Sequence, residues 1–186
     1  ERDREDDEDS DQLTFEIVEL VELNKVEAAP MLLTMLESVE PRERADAAWL
    51  LGFLHDMITF EPLVKASRDP EPRVRGTAVG ALESFHGEPE VLNVVLALLK
   101  DPDGDVRADA AFALRYLGGA QTLAALRPVL VDPAPRVRGA AVSALASFAG
   151  HPDALDAVLI CLNDSDEGVR SSVAWALCAI GGPQAV

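Results

Sequence analysis

DPEPRVR at residues 69–75 is one of four copies of a phrase that decides how this chain folds. DPDGDVR stands at 101–107, DPAPRVR at 132–138 and a looser DSDEGVR at 164–170. The arginines that close them, Arg75, Arg107, Arg138 and Arg170, lie 32, 31 and 32 residues apart. A fixed period between about 20 and 50 residues marks a stacked repeat, in which each unit buries its apolar face only against its neighbours.

The residues after each arginine have the pattern of a helix. The third and fourth places are small or slim: Ala47 and Ala48, Ala78 and Val79, Ala110 and Ala111, Ala141 and Val142, Val173 and Ala174. The seventh is leucine (Leu51, Leu82, Leu114, Leu145, Leu177), and a larger apolar residue stands three further on (Leu54, Phe85, Leu117, Phe148, Ile180). Small residues at facing positions let neighbouring helices approach closely. After a short loop a second apolar pattern begins, as in Leu92, Val95, Leu96 and Leu99, or Leu123, Leu126 and Leu130. Asp-Pro or Asp-Ser then ends it, because proline cannot continue a helix and aspartate suits the turn and the next helix start.

The register extends backward. Arg44 precedes Arg75 by 31 residues and opens a more divergent copy, and residues 12–23 and 26–37 form one more helix pair. The expectation is five pairs, beginning near residues 12, 41, 72, 104 and 135, and a last first-type helix over about 167–180. GGPQAV at 181–186 parallels residues 118–123 and should open a further second helix. Ahead of the repeats, ERDREDDEDSD at 1–11 has no apolar residue and reads as a solvated acidic lead-in, leaving 12–186 as the repeat domain.

The 186 residues carry a net charge of −17, of which the first 11 supply −6, so the body is acidic in its own right. Lysine occurs only at 25, 65 and 100, against 13 arginines. An acidic surface keeps a protein soluble where salt is concentrated and screening nearly complete, and the composition reads as that of a salt-adapted cytoplasmic protein. Cys161 and Cys178 are too few for a disulfide framework or a zinc site and read as small core residues. No membrane span or secretory leader is visible in the sequence.

The Asp to Arg spacing in Asp69/Arg75, Asp101/Arg107, Asp132/Arg138 and Asp164/Arg170, together with the Val-Arg step and the alanine-rich, leucine-ending helix, resembles the HEAT repeats. The resemblance is to the short subclass named for phycobilisome lyases and covers residues 25–182. It implies an all-α fold: a right-handed α-solenoid of stacked antiparallel helix pairs, in which second helices line the concave face. It also implies that the repeated Asp and Arg residues form a hydrogen-bonded ladder through the turns rather than a catalytic array. Relatives act as scaffolds, adaptors, chromophore lyases, metal-dependent hydroxylases and nucleic-acid enzymes.

Against that range the residues narrow the choice. The His-Glu dipeptides by which the family's hydroxylases hold iron are missing, and His55, His86 and His151 read as loop residues rather than metal ligands. There is no glycine-rich phosphate loop, serine elbow or catalytic carboxylate pair. Trp49, Phe112 and Trp175 share one column and read as packing residues. On the second helices the outward positions are Lys65, Arg68, Asn93, Ala97, Lys100, Arg127, Pro128, Val131, Asp156 and Ile160. Mixed basic and apolar, they suit a protein partner. The reading is therefore a non-enzymatic scaffold or adaptor without cofactor, with signalling and taxis complexes as one setting. A lyase-related enzyme is the alternative, and nucleic-acid binding, disfavoured by the acidity, comes next.

Overall fold

The structure, a computed structural model, describes residues 24–148 and 150–180. The acidic lead-in, the helix expected over 12–23 and residues 181–186 lie outside the described residues. Ten α-helices run through the described residues: α1 (Lys25–Met35), α2 (Pro41–Leu54), α3 (Phe60–Ala66), α4 (Pro72–Leu82), α5 (Pro89–Leu98), α6 (Gly104–Leu117), α7 (Gly119–Val129), α8 (Pro135–Leu145), α9 (Pro152–Ile160) and α10 (Glu167–Ile180). Even-numbered helices are the first of each pair and odd-numbered helices the second. Short 3-10 turns, Met57–Thr59, Glu83–Phe85 and Ala146–Phe148, come after α2, α4 and α8.

Each phrase starts a helix in one of two ways. Pro41, Pro72 and Pro135 occupy the first turn behind an extended residue, Glu40, Glu71 or Ala134. Proline is favoured there because its fixed φ is already helical and its missing N–H would have had no partner. In DPDGDVR Gly104 takes the first helical place instead of proline, and the Asp103 carboxylate accepts the N–H groups of Asp105 at 2.8 Å and Val106 at 3.2 Å. Between the two helices of a pair the chain turns through left-handed backbone at His55 (φ 50°) and Gly118 (φ 58°). For histidine that conformation carries a steric cost that glycine avoids.

Burial tracks the columns. Val74, Val106, Val137 and Val169, just before the arginines, are buried, as are Leu51, Leu82, Leu114 and Leu145 seven places after them. Most of the paired small residues are also fully covered, because first helices stack face to face. Gly52 shows how close they come: a Cβ there would lie 2.9 Å from the Ala81 Cα on α4. On α10 Ala174 and Cys178 face outward, whereas Cys161 is buried with its Sγ 3.6 Å from the Leu130 carbonyl. The expectation that both cysteines are core residues thus holds for Cys161 alone, since Cys178 falls on the outward side of its helix.

The two layers are unequally drawn together. Successive first helices make their closest approaches to one another, while each second helix packs mainly onto the first helix of the next pair. Among the described residues no helix is long and apolar enough to cross a membrane.

Candidate functional site

Each repeated arginine grips two turns at once. Arg75 donates from Nη1 to the carbonyl oxygens of Asp69 and Pro70, at 2.9 and 3.0 Å, holding the turn that precedes its own helix. From Nε and Nη2 it makes a bidentate pair with the Asp101 carboxylate, both bonds 2.7 Å, in the next turn along the stack. Arg44 with Asp69, Arg107 with Asp132 and Arg138 with Asp164 repeat the arrangement, at 2.7 to 2.9 Å. Arg170 holds the carbonyls of Asp164 and Ser165 in its own turn. Each aspartate also accepts the backbone N–H two residues on, at Glu71, Asp103, Ala134 and Asp166. Such charge-assisted, fork-to-fork bonds are short and strongly oriented.

These bonds set the charge state of the ladder. Hydrogen bonding from Arg138, helped by the Asp166 N–H, lowers the Asp164 carboxyl to about 2. Arg44 lowers Asp69 and Arg107 lowers Asp132. At Asp101 burial pushes upward, yet the bonds from Arg75 and the Asp103 N–H leave the net direction downward. The four carboxylates are ionised and fully engaged.

The positions singled out on the second helices are all exposed: Lys65, Arg68, Asn93, Ala97, Lys100, Arg127, Val131, Asp156 and Ile160. Three grooves separate these helices. One of about 450 Å³ between α1 and α3 is edged by Lys65 and Arg68, and one of about 410 Å³ between α3 and α5 by Arg68, Asn93 and Ala97. The third, about 360 Å³ between α5 and α7, holds Lys100 and Pro128. Arg127, Val131, Asp156 and Ile160 stand outside them. Lys65 is paired with Glu37 at 2.7 Å, whereas Arg68, Lys100 and Arg127 have no acidic partner among the described residues.

The first-helix face holds a feature that the repeat pattern does not announce. Trp49, 38% exposed, packs edge-on against Phe53 with ring centroids 4.8 Å apart. Two repeats on, the Arg115 guanidinium lies 3.9 Å from the ring centre of Phe112 and 4.3 Å from that of Tyr116. Between Trp49 with Phe53 on one side and Tyr116 on the other the column holds Gly80, and a groove of about 600 Å³ opens there. Glu83, Asp109, His55 and His86 also line it. The signal available in sequence was the alternation Trp49, Gly80, Phe112, Ser143, Trp175, which leaves a gap at every second place. Trp175 is 60% exposed, so packing does not account for this column throughout. His151 lies away from this groove, 3.9 Å from Asp153, and among the described residues no cluster of His, Cys, Asp and Glu has the makings of a metal site.

A stack of helix pairs with a turn-to-turn Arg–Asp ladder defines an α-helical repeat solenoid. The model for HEAT repeats matches residues 29–115 and 92–178, and the chain belongs to that family. No curated protein sequence matches it significantly. Among solved structures it is similar to a chain of the CpcE–CpcF complex of phycocyanin lyase from Nostoc sp., at 23% identity and a TM-score of 0.64. That match covers 80% of this chain and 63% of the other, so the chain spans less than two thirds of that relative. Escherichia coli YibA aligns at 21% identity with a TM-score of 0.72, over 86% of this chain and 62% of its own. A designed armadillo repeat protein in complex with the peptide (KR)4 aligns at 20% identity with a TM-score of 0.61, over 80% of each chain. At these identities the likeness concerns the fold.

Proposed function

We propose that the protein is a non-catalytic interaction scaffold that holds a protein partner on its second-helix face. The observation that carries this reading is the contrast between two sets of bases. The repeated arginines are all bonded within the stack, whereas Arg68, Lys100 and Arg127 stand exposed without an acidic partner among the described residues, in a chain of net charge −17. On the same layer of helices and turns Val131 is 73% and Ile160 57% exposed. Unpaired cations and apolar side chains on one layer suit an acidic, partly apolar protein surface, where charge sets approach and orientation and apolar contact adds affinity.

We further infer that the stack bends toward its more closely spaced layer, the first helices. The second-helix face then lies on the outer side of the curve rather than on the concave side that the family resemblance implies. An outer face with shallow grooves favours a folded partner over a peptide cradled along the stack. Pull-down from native lysate with wild-type protein and a Lys100→Glu, Arg127→Glu variant tests the assignment. The partner is lost in the variant while helical circular dichroism is unchanged; equal recovery from both proteins removes the second-helix face from consideration.

A further inference from the structure

The groove at Gly80 has walls and a floor of different chemistry, and together they define what it would hold. Its walls are aromatic, Trp49 with Phe53 on α2 and Tyr116 on α6. Its floor comes from α4 and the turn after it, where Gly80 has nothing within 4 Å of the place a Cβ would occupy. Two carboxylates reach it. The Glu83 carboxylate receives no hydrogen bond within the described residues. Asp109 is bonded to Arg136 through Oδ1 at 3.1 Å, while its Oδ2 lies against Gly76, only 2.5 Å from where a Cβ would stand there. Aromatic faces and desolvated carboxylates are each complementary to a cation, through the ring quadrupole and through charge.

The bases already present leave this demand unmet. Arg136 is held by Asp105 and Asp109 at the edge. Arg115 lies against Phe112 and Tyr116, donates from Nη2 to the Tyr116 hydroxyl and leaves its Nε without an acceptor; it forms no hydrogen bond with the Glu83 carboxylate. Its place shows that Tyr116, which lines the groove, accommodates a guanidinium against its ring. Burial pushes Glu83 up to about 6, with Asp109 adding to the rise and Arg115 opposing it, as expected of an acid lacking a counter-ion.

We propose that the groove between Trp49 and Tyr116, over Gly80 and Glu83, binds a lysine or arginine side chain presented by a protein partner. About 600 Å³ is several times the room an ammonium group needs and lies within the range of ligand sites, so the apolar stem and flanking residues are accommodated with the charge. A free polyamine would use the carboxylates but leave the aromatic walls largely uncovered. This groove and the second-helix face have in common only the premise of a protein partner. They lie on opposite faces, and failure at the groove leaves the Lys100 and Arg127 test intact.

Trp49 reports on the site once the other tryptophan is removed by Trp175→Phe. In that background a capped octapeptide of alternating lysine and arginine, titrated at 0.15 M salt, gives a saturable change in Trp49 emission. The same peptide with acetyl-lysine and citrulline gives none. Glu83→Gln and, separately, Gly80→Phe, which restores the missing aromatic, each weaken binding at least tenfold with helicity preserved. Undiminished binding in both variants means that the peptide adheres to acidic surface in general and overturns the proposal. Spermidine binding as tightly as the peptide overturns the assignment to a protein side chain.

Discussion

Glu83 and Asp164 are both acids, and the stack treats them in opposite ways. Asp164 has two guanidinium bonds and a backbone N–H, and its carboxyl sits at about 2. Its stabilising effect is present above the ordinary value of 3.8 and is lost as pH falls toward about 2. Glu83 is held at about 6 by burial, above its ordinary 4.5. Its neutral form favours the folded state; that contribution is complete below 4.5 and lost as pH rises through about 6. Glu83→Gln therefore raises stability at pH 7 to 8 by up to about 1 kcal/mol, the full linkage value being reduced by screening at a partly exposed site. Urea unfolding of both proteins at pH 4 and pH 7.5 checks this, with a gap between them only at the higher pH. A variant that is more stable yet binds peptide less well also separates the groove's binding role from its part in folding.

At the scale of the helix, the repeated phrase carries its own start signal and packing surface, which is why so much was readable. Proline or a capping aspartate sets the first turn, valine and leucine enter the core, and small residues set the distance to the next helix. Spacing does not convey which aspartate meets which arginine. Arg75 takes the carbonyl of Asp69, six residues back in its own phrase, and the carboxylate of Asp101, 26 residues on, a division that depends on how the turns stack. The groove was harder to read still, because its central residue is an absence. Gly80 acquires meaning only once Trp49 and Tyr116 are seen on either side, and the burial of Glu83 depends on helix spacing that no single segment specifies. Gly52 makes that spacing testable. In an isolated helix Gly→Ala is favourable by about 1 kcal/mol, but here the new methyl would meet the Ala81 backbone at 2.9 Å. The backbone cannot yield as a side-chain tip can, so Gly52→Ala lowers stability by about 1 to 3 kcal/mol in thermal or urea unfolding. A gain would mean that α2 and α4 have room to separate.

Across the whole molecule, 33 acids face 16 bases, and the Arg–Asp pairs of the ladder, each neutral, leave that excess to the other side chains. Self-repulsion among the remaining acids is long-ranged at low ionic strength and fades as the screening length falls from about 10 Å at 0.1 M to about 3 Å at 1 M. The partly buried Arg–Asp pairs are screened far less. Stability should thus climb with potassium chloride between 0.1 and 2 M, read as a rising thermal midpoint; a midpoint that falls would mean that exposed ion pairs such as Arg136–Asp105 outweigh repulsion. The ladder has a mechanical side as well. From Arg44 to Asp164 each arginine clasps its own turn and the next, and those clasps join only neighbouring turns. Under tension along its axis the stack is a row of links in series, each bearing the full load, so it would extend by parting at one turn at a time while the pairs on either side stay closed.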